Sequence, residues 1–590
     1  MKMKVNRNNI WAKIFIEQLV AIGVRNACIS PGSRSTPLTY ALSKNKKIKS
    51  FIHFDERSSA FFALGLAKST NSPVIVITTS GTAVAELYPA IIEAYQQRVP
   101  LIICTADRPP QLIGSGANQT INQHNIYKNH IRWFRDLGLP SISDSGLRHL
   151  QRIAMKAFSV SLKEDRGPVH LNFPFKKPLE PFSYTDEINK SLFNLKPQRF
   201  VQHKSESTSQ NPKIISSIAD KLINQEKGII IAGPMESNND FCLRIKKLST
   251  LLKYPIFADG LSQLRFRIKS KNENVLSNFN SFLRSESFIE KNEPEIILQF
   301  GRTPTSSTFE NFLLKTGADR YIINSYGDKF DPTQNAKMIL NIDPNLFCEN
   351  ILSQLSTRKF SRKKLFWLNN FIRAEEICEE LKLKRIQNKK GLNEPSAISE
   401  IINCLPSGCN IFIGNSLPVR DLDNFFTKTS KRMNVYFNRG ASGIDGITST
   451  ALGMAIKKRH AVLLTGDLSF MHDLGALSIA SKYSIPLMII IINNNGGGIF
   501  ESLPIANKVS NFEEYFITPH NLELSDIVNS FNINYHLISS RSQLKNNLLK
   551  CLKSKLPCIL EIKTNAARSA EIRKSYFEEV NRKLSKKFKR

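Results

Sequence analysis

The sequence has no long hydrophobic run and no secretory N-terminus. Its longest apolar stretches, such as Pro486 to Ile492, are far shorter than the about 20 residues that a membrane span needs. The N-terminus begins with basic residues, but Lys13 and Glu17 interrupt the apolar positions that follow, which is typical of an amphipathic first helix and not of a signal peptide. We therefore expect a cytoplasmic protein without a membrane span.

Cysteine pairs with a recognisable functional spacing are also lacking. The nine cysteines are scattered singly along the chain. The two closest pairs, Cys404/Cys409 and Cys551/Cys558, have neither zinc-site nor redox-motif spacing. The sequence thus predicts neither a disulfide framework nor a metal cluster.

Acidic residues are few relative to basic ones. The 590-residue chain has 82 Lys and Arg but only 50 Asp and Glu, which gives a net charge of +32. Such a charge suggests nucleic acid or an acidic surface as a partner. The basic residues are spread along the whole chain, however, and the basic C-terminal stretch "NRKLSKKFKR" is typical of a solvated helix end. We expect no nucleic-acid binding as the main function, and salt-dependent retention on DNA tests that alternative.

The chain is too long for a single hydrophobic core. Strand-like and helix-like segments alternate in residues 1–180, 214–356 and 393–590, whereas 181–213 is polar and irregular and 357–392 is charged and helical. The alternation predicts parallel sheets with helices on both faces. The expected fold class is α/β, with three doubly wound parallel-sheet domains, a linker and a helical connector.

Residues 489–500, "IIIINNNGGGIF", indicate a ligand site. A continuous Ile run is typical of a strand buried on both faces, and ligands bind past the carboxyl ends of such strands. Asp467, in "TGDLSF", precedes Asn494 by enough residues for one crossover helix between neighbouring parallel strands. A carboxylate, an asparagine carbonyl and a glycine backbone carbonyl would suit Mg²⁺, and the nearby N–H groups a diphosphate. Taken by itself, the stretch also fits a tight turn.

The spacing of Asp467 and "NNNGGG" resembles the diphosphate-and-magnesium motif of the thiamine diphosphate enzymes, whose three-domain layout is similar as well. The resemblance implies a pyrimidine-binding domain at 1–180, a central domain at 214–356 and a diphosphate-binding domain at 393–590. It also implies thiamine diphosphate and Mg²⁺ as cofactors, with Mn²⁺ as a substitute for Mg²⁺. Asp467, Asn494 and the Gly496 carbonyl would hold the metal.

Glu56 lies at the start of an amphipathic helix, in "HFDERSSAFFALGLAK". By itself it is more typical of an exposed acid favoured by a helix N-terminus than of a catalytic residue. The resemblance implies that it is the catalytic glutamate that bonds N1′ of the cofactor pyrimidine. Burial against that ring would favour the sharing of a proton.

Six further segments narrow the resemblance to one family: "ISPGSRSTPLTYAL", "HFDERSSAFFALGLAK", "TSGTAVAELYPAIIEAY", "DRPPQLIGSGANQTINQ", "GNSLPVRDLD" and "NRGASGIDGITSTALG". They are similar to those of the 2-succinyl-5-enolpyruvyl-6-hydroxy-3-cyclohexene-1-carboxylate synthases, from about residue 10 to 565. These transferases of menaquinone and phylloquinone synthesis decarboxylate 2-oxoglutarate and join the succinyl unit to isochorismate by conjugate addition. Another thiamine diphosphate-dependent 2-oxoacid decarboxylase or carboligase, or a catalytically inactive relative, is the alternative.

The resemblance also implies a set of binding residues. Both substrates carry two carboxylates, and the motif loops are rich in arginine, which binds carboxylates bidentately. The residues on the cofactor and isochorismate side would be Ser33, Arg34, Arg108, Asn118 and Gln119. Those on the 2-oxoglutarate side would be Ser416, Arg420 and Arg439, with Ile444 as the wedge that bends the cofactor and Phe500 and Leu503 as the apolar wall.

One position departs from the family pattern. Family members often carry a lysine after a central-domain strand where this chain has Ser307, so that the contact is missing or supplied by Arg302. In this family the pyrimidine domain of one subunit faces the diphosphate domain of another. We therefore expect a homo-oligomer, a dimer or a tetramer, with active sites between subunits.

Overall fold

The computed structural model describes residues 2–163, 165–199, 212–268, 273–326, 330–358, 365–387, 391–426, 428–506 and 508–588. It contains three six-stranded parallel sheets in an α/β architecture, as the sequence predicts. No helix among the described residues is long and apolar enough to cross a membrane.

The N-terminal sheet has the strand order β3-β2-β4-β5-β7-β6. Its strands, and the short β1 and β8, are β1 Lys2–Val5, β2 Asn26–Ile29, β3 Lys49–Ile52, β4 Val74–Thr78, β5 Leu101–Asp107, β6 Trp133–Asp136, β7 Val169–Pro174 and β8 Asp186–Asn189. The helices are α1 Arg7–Ala21, α2 Thr36–Lys44, α3 Glu56–Thr70, α4 Thr82–Glu86, α5 Tyr88–Gln97, α6 Asp144–Leu162 and α7 Lys190–Phe193. Three short 3₁₀ helices span Ser33–Ser35, Pro110–Leu112 and Lys128–His130.

The middle sheet has the strand order β11-β10-β9-β12-β13-β14. Its strands are β9 Gly228–Ala232, β10 Ile256–Ala258, β11 Val275–Leu276, β12 Ile296–Phe300, β13 Asp319–Asn324 and β14 Met338–Asn341. The helices of this part are α8 Pro212–Asn224, α9 Asn239–Leu252, α10 Phe279–Phe282, α11 Glu286–Lys291, α12 Ser307–Lys315, α13 Pro344–Ser356 and α14 Leu365–Gln387.

The C-terminal sheet has the strand order β16-β15-β17-β18-β20-β19. Its strands are β15 Asn410–Ile413, β16 Asn434–Phe437, β17 Ala461–Gly466, β18 Leu487–Asn493, β19 Asn534–Leu537 and β20 Cys558–Lys563. The helices are α15 Glu394–Cys404, α16 Leu417–Phe425, α17 Ile447–Ala455, α18 Asp467–His472, α19 Ala476–Lys482, α20 Leu524–Asn529, α21 Arg541–Lys553 and α22 Ala566–Phe588. A 3₁₀ helix spans Gly498–Ser502 and a π-helix Glu513–Ile517.

Strand β18 lies between β17 and β20 and all seven of its residues are buried. The Ile run therefore forms a central strand covered on both faces, because helices pack on each side of a parallel sheet. Strand β17 ends at Gly466, next to Ile492 in the register of the pair. Asp467 and Asn494 thus follow neighbouring strands at the same edge of the sheet.

Helices α3 and α17 join the N-terminal and C-terminal parts of the chain. A Cβ on Gly65 would lie 1.9 Å from the backbone oxygen of Thr450, and one on Gly453 would lie 2.0 Å from that of Phe62. The two helix backbones are therefore in direct contact, which a larger residue at either glycine would prevent. The side chains around this contact belong to a single hydrophobic core that includes strands of both sheets.

The segment predicted as a linker contains secondary structure. Strand β8 pairs antiparallel with β1, so that Ile188 lies opposite Met3, and Phe193 packs against the N-terminal core. Residues 200–211 of this segment lie outside the described residues. The domain boundaries at 180, 213, 356 and 392 stay predictions.

The structure corrects the expectation that the cysteines form no disulfide. Cys551 at the end of α21 and Cys558 at the start of β20 are bonded, with a Cα–Cα distance of 6.2 Å. The other seven cysteines are free. The pairing was not predictable from the six-residue gap, because only the return of the chain from α21 into β20 brings the two sulfurs together.

Candidate active site

A cavity of about 170 Å³ lies at the carboxyl ends of the C-terminal strands. It is enclosed by the loops after β15, β17 and β18, which is where open α/β sheets bind ligands. Six residues predicted from the sequence line it: Ser416, Ile444, Asp467, Asn494, Gly496 and Phe500.

Asp467 is buried in this cavity, although an aspartate side chain in water is ionised at neutral pH. It is the first residue of α18 and 2% exposed. Its carboxylate accepts hydrogen bonds from the N–H groups of Gly496 and Leu468, both at 2.8 Å, and His520 Nε2 lies 3.3 Å away. Burial raises the pKa of Asp467 in spite of these bonds. A divalent cation at this carboxylate would compensate for the lost hydration.

Asn494 presents an oxygen without a partner to the same cavity. Its Nδ2 donates a hydrogen bond to Glu394 Oε1 at 2.8 Å, so the amide orientation is fixed. Asn494 Oδ1 is buried and has no hydrogen-bond partner among the described residues. Since buried carbonyl oxygens are almost always satisfied, this one fits the role of a ligand for a hard cation.

The backbone of the glycine run is shaped around this position. Gly496 has a φ of 142°, and a Cβ there would lie 2.2 Å from the Ile517 oxygen. Ser416, at the N-terminus of α16, also has a left-handed backbone, with φ 70° and ψ −129°. A positive φ is uncommon for a non-glycine residue, and strained positions of this kind are enriched at active sites and ligand sites. The donor set and the close backbone fit Mg²⁺ and thiamine diphosphate.

A buried ion-pair network behind Asn494 was missed by the sequence interpretation. Arg573 of α22 pairs with Glu394 of α15 and, through Nε at 2.8 Å, with Asp421 of α16. Glu394 and Asp421 are each 1% exposed. No spacing in the sequence signals this group, because its members come from three helices up to 179 positions apart.

The predicted residues of the N-terminal part include two arginines with unused donors. Arg34 is 4% exposed and donates from Nη1 to the Phe175 oxygen at 2.7 Å. The Nε atoms of Arg34 and Arg108 are both buried, and neither has a hydrogen-bond partner within the described part of the chain. Burial and the charge of Arg108 lower the pKa of Arg34. Two neighbouring guanidinium groups of this kind can bind a carboxylate.

Glu56 is the first residue of α3 and is half-buried. Burial raises its pKa, and the charges of Asp55 and Glu86 act in the same direction. Gln119 adopts a φ of 57° and donates from Nε2 to the Ser80 oxygen at 3.1 Å.

Ser33 and Asn118 are exposed. None of the predicted residues of the N-terminal part lines the 170 Å³ cavity.

Three predicted residues of the C-terminal part lie outside that cavity. Arg420 donates to the Ser416 oxygen at 2.8 Å, and Leu503 is 43% exposed. Arg439 donates to Asn415 Oδ1 at 3.1 Å and lines a second cavity of about 460 Å³. Burial and the charge of Arg420 lower the pKa of Arg439.

Arg302, the candidate to supply the contact that is otherwise missing where Ser307 stands in place of the expected lysine, also lines this second cavity. It donates to the Arg439 oxygen at 2.9 Å. Ser307 begins α12. Arg302 thus connects the middle part of the chain to the loop that carries Arg439, a residue predicted to bind substrate.

Three family profiles match the chain. They are the thiamine pyrophosphate enzyme N-terminal TPP binding domain at residues 11–126, the middle domain of thiamine pyrophosphate enzymes at 193–413, and the C-terminal TPP binding domain at 424–562.

Full-length relatives match as well. A 2-succinyl-5-enolpyruvyl-6-hydroxy-3-cyclohexene-1-carboxylate synthase of Trichodesmium erythraeum is 38% identical over 95% of this chain and 96% of its own length. Proteins of the same name from Geobacillus kaustophilus and Listeria innocua are each 35% identical, over 98% and 96% of this chain and 99% and 96% of their own lengths.

Proposed function

The chain belongs to the 2-succinyl-5-enolpyruvyl-6-hydroxy-3-cyclohexene-1-carboxylate synthases, a family of thiamine diphosphate-dependent enzymes, and we propose that its substrates are 2-oxoglutarate and isochorismate. The reaction is the decarboxylation of 2-oxoglutarate and the conjugate addition of the remaining succinyl unit to isochorismate. The choice of substrates, which carry carboxylates, is supported by Arg34 and Arg108, whose buried Nε atoms have no hydrogen-bond partner among the described residues. The cofactor site is supported by the buried Asn494 Oδ1, likewise without a partner there, in the same cavity as the buried Asp467 carboxylate.

Asp467, Asn494 and the Gly496 carbonyl are the proposed ligands of Mg²⁺, which Mn²⁺ can replace. These three ligand oxygens lie just past the ends of two neighbouring strands. They leave coordination positions of the ion open for diphosphate oxygens. Ser416 at the start of α16 lines the same cavity. Ser416 marks the N-terminus of this helix, where free backbone N–H groups can bind an anion such as the diphosphate.

Bound thiamine diphosphate supplies a nucleophilic carbon for the 2-oxo group and accepts the electron pair that remains when CO₂ leaves. Glu56 holds and returns the proton at the cofactor pyrimidine N1′. Its raised pKa suits this role, since a carboxyl group that shares a proton must not be fully ionised. Ile444, which is 37% exposed and lines the cavity, would be the apolar wedge that the cofactor packs against.

The substrate carboxylates bind to two pairs of arginines. Arg34 and Arg108 serve the isochorismate side, together with Ser33, Asn118 and Gln119. Arg420 and Arg439 serve the 2-oxoglutarate side. Burial lowers the pKa of Arg420 as it does that of Arg439, so each cation gains from an anionic partner. Phe500 and Leu503 form the apolar wall.

The complete site lies between two subunits of a homo-oligomer. Two features support this arrangement. Glu56, Ser33 and Asn118 are accessible but do not line the cavity of their own chain. Phe54, Ile444 and Leu503 expose large apolar surface beside the two groups of predicted residues, as expected where a second copy covers them.

An assay of the purified chain with thiamine diphosphate, Mg²⁺, 2-oxoglutarate and isochorismate tests the proposal. We expect loss of isochorismate, release of CO₂ and a product of the combined mass. Glu56→Gln should abolish turnover, whereas Glu187→Gln, on the exposed β8, should not. CO₂ release from a different 2-oxoacid, without loss of isochorismate, would show that the chain is another decarboxylase or carboligase.

A further inference from the structure

Cys551, Cys558 and His536 lie together at one side of the C-terminal sheet. Cys558 begins the strand β20, His536 belongs to the edge strand β19, and Cys551 lies in the last turn of α21, which connects the two strands. One ligand atom of each residue lies within 4.8 Å of the other two. In the part of the chain that the structure describes, it is the only cluster of three or more His, Cys, Asp or Glu side chains with this geometry.

This cluster is separate from the candidate active site. Cys558 pairs with Met488 and Asn534 at the amino ends of the strands. Asp467 and Asn494 follow the carboxyl ends of β17 and β18, at the opposite edge of the sheet. None of the three residues lines the 170 Å³ cavity.

The redox state of the other cysteines bears on this pair. The remaining seven cysteines are free, and six of them are buried. A chain that keeps so many thiols unpaired suits reducing conditions, under which neighbouring cysteines are more often metal ligands than disulfides. A thiol reductant that supplies two electrons and two protons, and is itself oxidised to a disulfide, converts the Cys551–Cys558 disulfide into a dithiol.

We propose that the reduced Cys551 and Cys558, together with His536, bind Zn²⁺. Two thiolates and one imidazole are a preferred ligand set for this ion, and water completes the tetrahedron. Ligand sulfurs in such a site are about 3.8 Å apart, given Zn–S bonds of about 2.3 Å. The two sulfurs are bonded to each other in the structure, so reduction is needed before they can separate to this distance, and the His536 ligand atom lies within 4.8 Å of both. Binding converts Zn²⁺ and two thiols into a dithiolate complex and releases two protons.

The surroundings of the cluster leave it open to an ion from one side. Both cysteines are buried, at 7% and 2% exposure, whereas His536 is partly accessible. His536 thus gives the ion a path into the site. The bound metal would fasten the edge strand β19 to α21 and β20.

Titration of the full-length, reduced and desalted protein with Co²⁺ under anaerobic conditions tests the proposal. We expect one Co²⁺ per chain with a thiolate-to-metal charge-transfer band, which Zn²⁺ displaces. No thiamine diphosphate is added. An ion held by the oxygen ligands Asp467 and Asn494 gives no thiolate band, so failure of this proposal is distinguishable from failure of the proposed function.

Variants identify the ligands. Cys551→Ser and Cys558→Ser should lose the thiolate band, and His536→Gln should weaken Co²⁺ binding about tenfold or more. Cys404→Ser and Cys409→Ser, which change free cysteines of the same sheet region, should bind as the wild type does. His536→Gln changes a partly accessible edge position and keeps the test valid if a cysteine variant does not fold. Absence of the band in the reduced wild type, or its persistence in Cys558→Ser, would overturn the proposal.

Discussion

The side-chain amide of Asn494 donates a hydrogen bond to Glu394 at 2.8 Å, and its oxygen is buried with no partner from the residues that the structure describes. Glu394 is itself fixed by Arg573, which also pairs with Asp421. The proposed metal ligand is therefore oriented by residues that do not touch the metal. Outer groups of this kind commonly determine metal affinity as strongly as the ligands do.

Replacement of Glu394 should impair cofactor binding. In Glu394→Ala the amide of Asn494 loses its fixed orientation, and we expect the affinity for Mn²⁺ in the presence of thiamine diphosphate to fall about 10- to 100-fold. Mn²⁺ binding can be followed by electron paramagnetic resonance, independently of turnover. Glu400→Ala, on the same helix with a surface ion pair to Arg541, is the control and should bind normally. Equal affinity in both variants would contradict the positioning role.

The left-handed backbone of Ser416 should cost stability. Because glycine adopts this conformation without strain, Ser416→Gly should raise the midpoint of thermal unfolding by about 2 °C. We expect its kcat/KM to fall, since the seryl side chain and the fixed start of α16 are lost together. Ser416→Ala keeps the strained backbone and is the matched control for stability. A glycine variant that unfolds at the same temperature as the alanine variant would show that the strain is absent.

The contact between α3 and α17 should not tolerate a side chain at either of its two glycines. Gly453→Ala places a Cβ 2.0 Å from the Phe62 oxygen, so that the two helices must move apart. We expect a loss of about 2 kcal/mol or more, seen as a lower midpoint of thermal unfolding. In Gly317→Ala the nearest atom is the Glu293 carboxylate at 3.8 Å, and this control should unfold as the wild type does.

The buried carboxyl group of Asp473 should make stability depend on pH. It accepts hydrogen bonds from the Ser449 backbone at 2.6 Å and from the Ser58 hydroxyl at 3.2 Å, and burial raises its pKa to about 6. The folded chain therefore holds this proton between about pH 4 and pH 6, where the unfolded chain releases it. Stability is then lost as the pH rises through this window and stays level above it.

Asp473→Asn removes this titration. The difference in unfolding midpoint, variant minus wild type, should increase from pH 4.5 to pH 6.5 and then remain constant. Asp240→Asn, at an exposed position, controls for the loss of one negative charge. A difference that does not vary with pH would contradict the assignment of this proton to Asp473.

Mixed oligomers should restore activity if each site combines residues of two chains. Glu56→Gln and Asp467→Asn should both be inactive by themselves. In a mixed dimer one site carries both substitutions and the other carries neither, so an equal mixture should regain about a quarter of wild-type activity. The measurement is turnover after co-expression of the two variants with different affinity tags. If no activity returns, Glu56 and Asp467 of one chain act together.

The sequence was sufficient to predict those features that depend on local patterns. The apolar run before Asn494 predicted a buried parallel strand, and β18 confirms it. The spacing of Asp467 and Asn494 predicted neighbouring strand ends, which the register of β17 and β18 confirms. In both cases the physical cause lies within one βαβ unit.

Features that depend on distant parts of the chain were not predictable. The network of Glu394, Asp421 and Arg573 joins three helices, and charged residues in helices are normally read as solvent-exposed. The basic stretch 581–590 was expected to be a solvated helix end, but Leu584 within it is buried against the middle part of the chain, as are Tyr576 and Val580 earlier in α22. In the same way, His536 reaches the two cysteines only through the pairing of β19 with β20.

The backbone contact between α3 and α17 has a consequence for communication between active sites. In the proposed dimer, α3 carries Glu56 into one site, and α17 follows the loop of Ile444 in the other site. Because Gly65 and Gly453 leave no gap between the two helices, a displacement of α3 must be accommodated by α17. In the proposed dimer, a change at Glu56 in one site would therefore be passed by direct backbone contact towards the loop of Ile444 in the other.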